Sequence, residues 1–156
     1  MNSSFPPQPA RAVPKPASRP LRVLIVEDHA PTRAAIALLL EQEFAQRVVI
    51  DSASDGDAAL RAVVEEPPEV IVLDLDLGGK SGLDLIPTIG RDIAIIILTA
   101  SDDLMARPLT LAAGAAAFVS KLSPAQELIS AIRAVRPELA DPGTLSYESV
   151  TELPGK

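Results

Sequence analysis

Acidic side chains stand at the ends of two strongly apolar runs. Residues 21–26 (LRVLIV) lead into Glu27 and Asp28, and residues 70–73 (VIVL) lead into Asp74, with Asp76 two positions on. A third run, residues 93–98 (IAIIIL), ends at Thr99, and a weaker one, residues 116–119, ends near Lys121. Gathered on one rim, these ends would place three carboxylates, a hydroxyl and an ammonium in a small volume. Carboxylates a few ångströms apart raise one another's pKa and do not all stay ionised without a counterion. A hard divalent cation such as Mg2+ resolves the repulsion, because it prefers carboxylate, carbonyl and water oxygens. With that cation and Lys121 opposing three negative charges, Asp74 is left beside an oxyanion site. Phosphoryl transfer to a carboxylate is the chemistry such a set suits. Asp74 lies between large aliphatics, where a carboxylate without a partner is costly. Glu27, Asp28, Thr99 and Lys121 taken singly read as caps, strand ends or surface charges, so the weight lies in their convergence.

The elements that must position these residues alternate in kind. After the first run comes a helix, roughly Thr32–Ala45, with Pro31 near its start, where proline is tolerated. Residues 48–50 form a short β-branched strand. Residues 55–65 are helical, with Ser54 or Asp55 as cap and Pro67-Pro68 as stop. A short helix with an internal proline covers residues 81–89. Another helix covers residues 102–113 and is closed by Gly114. The last helix covers residues 124–135, with Ser123 as cap and Pro124 at its first position. Five strands and five helices in strict alternation predict an α/β fold. The apolar runs are continuous, as in a parallel sheet buried on both faces, so the expected architecture is a doubly wound five-stranded parallel sheet with five helices. Ligands in such folds bind at the carboxyl ends of the strands.

Composition narrows the function classes. The chain has 156 residues, no cysteine and one histidine, His29. Disulfides, thiolate metal sites and multi-histidine metal sites are excluded. A net charge of −7 argues against direct nucleic-acid binding by this chain. No apolar run approaches the roughly 18 residues of a membrane span, and the N-terminus lacks a signal-peptide core. The expectation is a cytoplasmic protein with no membrane association. Residues 1–20 hold six of the fifteen prolines, three basic residues and no acidic one, and read as a disordered proline-rich arm. Residues 21–136 read as the folded domain, and residues 137–156 as a flexible tail or truncated linker.

The stretches VLIVEDH, ASDGDAAL, VIVLDLDLGGKSGLDLI, IIILTASDD and AAGAAAFVSK together resemble the receiver domains of two-component response regulators. The resemblance covers about residues 21–136, in family order, and implies the flavodoxin-like receiver fold. It implies that Glu27 and Asp28 are the acidic pair that holds Mg2+, that Asp74 accepts the phosphoryl group, and that the Asp76 backbone carbonyl is a further metal ligand. Thr99 and Lys121 then match the switch hydroxyl and the lysine that contact the phosphoryl group, and Phe118 matches the switch aromatic. The implied partner is a sensor histidine kinase or a histidine phosphotransfer protein, and a homodimer is compatible with it.

Other patterns fail on spacing. The GGKS at residues 78–81 lacks the first glycine of a P-loop, a position held by Asp74. DLDLGG opens like a calcium-binding loop, but its fifth position is Gly78 and its twelfth is Leu85. His29, on a strand-to-helix loop, reads as a surface histidine. The main rival is a small phosphatase of the haloacid-dehalogenase type, which uses a DxD nucleophile, a hydroxyl, a lysine and Mg2+. Here the acidic pair precedes Asp74 and no acidic strand end follows Lys121, which is the wrong order for that class.

Three residues depart from the receiver pattern. Leu122 follows Lys121 where a cis proline is usual, and a non-proline cis bond costs roughly 3 kcal/mol, so this peptide is either trans or strained. Gly78 replaces a frequent proline four residues past the acceptor and predicts a looser loop. Phe118 has no hydroxyl. On the first helix, Ile36, Leu39, Leu40 and Phe44 follow the spacing of a buried face, whereas Leu38 lies about 200° from Ile36 and should face solvent beside Ala34 and Ala37. In receivers this helix packs against the phosphodonor's histidine-bearing helices, which makes Leu38 a candidate docking residue.

Overall fold

The computed structural model describes residues 19–140. The arm expected over residues 1–18 and the tail expected beyond residue 140 lie outside the described residues.

Each apolar run forms a strand whose alternate side chains feed two different cores. The strands are β1 (Leu21–Val26), β2 (Val48–Ala53), β3 (Val70–Leu73), β4 (Ala94–Thr99) and β5 (Ala117–Ser120), all parallel, in the order β2-β1-β3-β4-β5. Val23, Ile25, Val70, Val72, Ile96 and Leu98 point to one face. There they meet Ile36, Leu40 and Phe44 of α1 (Ala30–Phe44) and Leu128, Ile129 and Ile132 of α5 (Ala125–Val135). Leu24, Val26, Ile71, Leu73, Ile95 and Ile97 point to the other face. That face is covered by Ala59 of α2 (Gly56–Glu65), by Ile86 and Ile89 of α3 (Ile86–Ile89), and by the region of α4 (Ala106–Ala113). Burial on both faces explains why the strands read as unbroken apolar runs. The expected fold class stands.

The order reverses between β1 and β3, so their ends are neighbours at the switch point where such sheets bind ligands. Val26 is in register with Leu73, and Leu73 with Ile97. The ladders continue one residue past the strands. Glu27 N–H donates to the Ala53 carbonyl at 3.1 Å, Asp74 N–H to Val26 at 3.0 Å and Lys121 N–H to Thr99 at 2.9 Å. These bonds fix the backbone of each chemistry-bearing residue on one rim.

Local differences from the sequence expectation have identifiable causes. The second strand runs to Ala53 rather than Ile50, because β1 pairs with it along its whole length. Asp55 caps α2, accepting from Ala58 N–H at 2.7 Å. Over residues 102–105 the chain is not helical. Asp103 N–H donates to Ser101 Oγ at 3.3 Å, and Met105 N–H to Asp103 Oδ1 at 2.9 Å. Such side chains satisfy the backbone locally and delay the helix to Ala106. The segment 81–89 is a 3-10 turn, Gly82–Leu85, followed by a single α turn, in which Pro87 cannot donate to the ladder. The sequence expectation that Ser123 caps α5 does not hold. Pro124 is extended (ψ 142°) and takes the capping position itself, and Ser123 N–H bonds back to Ser120. Gly114 does close α4, in the left-handed conformation with φ 118°.

The residues after Asp74 form an antiparallel pair, Asp76–Leu77 with Lys80–Ser81. Its two turn residues, Gly78 (φ 65°) and Gly79 (φ 99°), both have positive φ, as a tight two-residue hairpin turn demands. The looser loop expected from the glycines is thus a defined hairpin.

Candidate functional site

At the rim above β1, β3, β4 and β5 lies an open cleft of about 870 Å³, lined among others by Glu27, Asp28, Asp74, Asp76, Thr99 and Lys121. One carboxylate oxygen each of Glu27, Asp28 and Asp74 lies within 4.8 Å of the others. Glu27 and Asp74 are buried, at 2% and 5% exposure, while Asp28 is exposed.

Lys121 reaches into this cluster from the end of β5. Its Nζ donates to Glu27 Oε2 at 2.5 Å and to Asp74 Oδ2 at 2.7 Å. Burial works against the lysine's charge, but the hydrogen bonds to Asp74 and Glu27 and their charges outweigh it, so its pKa is raised. Burial also raises the Glu27 carboxyl above its ordinary value, against the pull of the Lys121 and His29 hydrogen bonds. The charge on Asp74 adds to that rise. The remaining oxygens take backbone donors: His29 N–H to Glu27 Oε1 and Asp76 N–H to Asp74 Oδ1, each at 3.2 Å. One ammonium faces three carboxylates, and this oxygen-only donor set suits a hard divalent cation.

Thr99 is buried at the end of β4, and its Oγ1 accepts from Ser101 N–H at 3.3 Å. Phe118 lies three residues before Lys121, half-buried against the α2–α3 core. Asp76 is exposed at the cleft mouth. There is no cis peptide among the described residues, so Lys121–Leu122 is trans and the lysine still reaches the acidic cluster. Leu38 is 55% exposed on the outer face of α1, next to exposed Ala34, whereas Ala37, expected beside it, is half-buried against the core. His29 is exposed, and its Nδ1 lies 2.6 Å from Thr32 Oγ1.

Three contributors escaped the sequence reading. Arg33 donates to the Glu27 carbonyl at 2.8 Å. Gly82 sits so close to the backbone of Asp74 that a Cβ on it would fall 2.4 Å from the Asp74 carbonyl oxygen. Arg107 lies over the Phe118 ring. Only Gly82 had a signal, the glycine-rich run after the acceptor strand.

Residues 23–133 match the response regulator receiver domain family. The chain is 34% identical over 139 residues to the phosphate regulon transcriptional regulatory protein PhoB of Klebsiella pneumoniae, covering 86% of this chain and 58% of that protein. It is 38% identical over 118 residues to the transcriptional regulatory protein LiaR of Bacillus subtilis, covering 73% of this chain and 55% of that one. The chain therefore spans little more than half the length of these relatives. Among solved structures, a two-component response regulator of the LuxR family from Aurantimonas sp. superposes with a TM-score of 0.68 at 30% identity, over 74% of this chain and 84% of that one. The phosphatase alternative finds no support in these matches. With an acidic rim at the β1/β3 switch point and this similarity along its folded length, the chain belongs to the response regulator receiver domain family and has a phosphoacceptor role in two-component signalling.

Proposed function

We propose that Asp74 is the residue that takes the phosphoryl group. The observation that carries this reading is Lys121 Nζ, held between Glu27 and Asp74 at 2.5 and 2.7 Å within the acidic cluster. An Asp74 oxygen attacks phosphorus in line as the bond from phosphorus to the donor nitrogen or carboxylate oxygen breaks. Lys121 then pairs with the phosphoryl oxygens, where a fixed cation stabilises developing charge. Glu27, Asp28, Asp74 and the Asp76 carbonyl would hold Mg2+, which when bound supplies neutralisation of the charge on the transferred group. Thr99 gives up its bond with Ser101 and turns to the new oxygens, opening space that Phe118 enters, a shift between two populations. The domain catalyses only its own phosphorylation and dephosphorylation.

The phosphodonor is a histidine kinase or a histidine phosphotransfer protein, with Leu38 in its docking surface, and the working compartment is the cytoplasm, where such donors present their histidine. The receiver unit is residues 21–136. Incubation with Mg2+ and acetyl phosphate followed by intact mass tests the assignment. Wild type gains the mass of one phosphoryl group and Asp74→Asn does not. A phosphoryl group retained in Asp74→Asn transfers the assignment to Asp76.

A further inference from the structure

A phenylalanine at the switch position has no hydroxyl through which to be held. The structure supplies a hold from α4. The Arg107 guanidinium carbon lies 5.1 Å from the Phe118 ring centroid, and Arg107 Nη2 donates to the Phe118 carbonyl at 3.3 Å. One side chain thus grips both the ring and the backbone of the same residue. The backbone of Arg107 is itself pinned. The buried Thr110 hydroxyl bonds to the Ala106 carbonyl at 2.8 Å and to the Arg107 carbonyl at 3.0 Å. Upstream, Thr99 Oγ1 accepts from Ser101 N–H, Ser101 Oγ from Asp103 N–H, and Asp103 Oδ1 from Met105 N–H. Three local side-chain-to-backbone bonds, at 3.3, 3.3 and 2.9 Å, therefore span the segment from the Thr99 hydroxyl to the start of α4.

We infer that Arg107 is a positioning residue that holds Phe118 in its resting orientation and so sets the fraction of unphosphorylated chain in the active arrangement. This rests on the reading of Asp74 as acceptor and Phe118 as the switch aromatic. The contact over the ring depends on where the ring points, so it is lost when the ring moves into the space Thr99 vacates. The carbonyl bond survives that motion, and only the ring contact discriminates between the two states. A contact made in one state alone shifts the population by its own free energy. For an exposed cation over an aromatic face that is about a two- to five-fold change in population.

The test uses the full chain, Mg2+ and beryllofluoride, which mimics the acyl phosphate. A ligand that binds only the active arrangement gains apparent affinity as that arrangement becomes more populated. Arg107→Met should therefore bind beryllofluoride about two- to five-fold more tightly than wild type, and Arg107→Lys, which keeps the cation, should stay near wild type. The sign is diagnostic, because mere structural damage weakens binding or leaves it unchanged. The chain has three phenylalanines, Phe5, Phe44 and Phe118, so para-fluorophenylalanine labelling gives three fluorine signals, with that of Phe118 identified by its loss in Phe118→Leu. In Arg107→Met the Ser101 amide should move toward its beryllofluoride-bound position without ligand. Unchanged or weaker beryllofluoride binding in Arg107→Met overturns the inference. A wild-type Phe118 signal that does not move with beryllofluoride, while acetyl phosphate still labels Asp74, shows that Phe118 is not the switch and overturns it too. Absence of labelling by acetyl phosphate instead refutes the phosphoacceptor assignment, and this is read from wild type before any variant.

Discussion

Replacing Gly82 with alanine should damage both stability and phosphorylation, for a reason that has nothing to do with glycine's backbone freedom. Among the described glycines, Gly78, Gly79, Gly90 and Gly114 have positive φ, and Gly82 does not. Its constraint is proximity. A Cβ there would lie 2.4 Å from the Asp74 carbonyl oxygen and 3.1 Å from Leu75 Cα, both backbone atoms. Ordinary contacts between such atoms begin near 3.5 Å, so the two segments must separate by about 1 Å. Overpacking of this kind costs about 1–3 kcal/mol. The Gly82 N–H bond to the Leu75 carbonyl, 2.8 Å long, lies in the same contact, and its loss adds about 1 kcal/mol. The total of about 2–4 kcal/mol corresponds, at about 4 °C per kcal/mol for a domain of this size, to a Tm lower by about 8–16 °C. The segment that must yield carries Asp74, the proposed acceptor, and a displacement of about 1 Å in a reacting group costs up to about 100-fold in rate. Gly56→Ala is the control. Its Cβ would meet Leu85 Cδ2 at 3.1 Å, the end of a flexible side chain, within the first turn of α2, where alanine is favoured. Thermal melting by circular dichroism and the initial rate of labelling by acetyl phosphate, measured well below both melting temperatures, provide the comparison. If Gly82→Ala melts with Gly56→Ala and labels at the wild-type rate, the reasoning from close approach is wrong.

Three further expectations follow from the same geometry. Gly78→Pro, which restores the residue frequent in the family, should destabilise the domain by more than about 1 kcal/mol, because proline cannot adopt φ 65°; an unchanged or higher Tm in chemical or thermal unfolding contradicts this. Asp28→Asn should weaken Mg2+ binding by roughly 30-fold in calorimetric titration, since a divalent ion about 4 Å from a lost carboxylate charge forfeits about 2 kcal/mol even at the dielectric constant of water; equal affinity would place the ion away from Asp28. Leu38→Glu should leave stability within about 0.5 kcal/mol, as befits an exposed position, and leave acetyl phosphate labelling intact while slowing transfer from a cognate histidine protein. Equal loss with both donors would make Leu38 structural, and no loss with either would put docking on another face.

The parts legible in the sequence are those that depend on solvent exclusion. Runs such as VIVL and AIIILT have no polar face, so only a doubly covered parallel sheet accommodates them, and the residue ending each run must stand on the rim. That logic located Glu27, Asp74, Thr99 and Lys121 without coordinates. What stayed hidden depends on single contacts. Ser101 and Asp103 look helix-compatible in a window of residues, yet each side chain captures a backbone N–H and postpones α4 to Ala106. Ser123 has the right chemistry for a cap, but the ψ of Pro124 shifts the helix start past it. Gly82 is constrained by backbone seven and eight residues upstream and Arg107 by a ring eleven residues downstream. No periodicity encodes either one.

The charge arrangement at the rim links binding, chemistry and readout. Two buried carboxylates would be costly without a counter-ion, and Lys121 meets that need within the chain, bonded to Glu27 Oε2 and Asp74 Oδ2. The third carboxylate, Asp28, is exposed and is the one a cation from solvent meets first. A phosphoryl group on the proposed acceptor Asp74 would draw the ammonium toward its own oxygens, which would leave Glu27 short of its partner unless a bound metal ion took over. Metal and phosphoryl group should therefore stabilise each other at this site. The backbone N–H of Lys121 is bonded to the Thr99 carbonyl at 2.9 Å, while Thr99 is in register with Ser120 and Ile97 with Phe118. One pair of strands thus carries the lysine, the hydroxyl and the aromatic ring that the proposed switch at Asp74 would use.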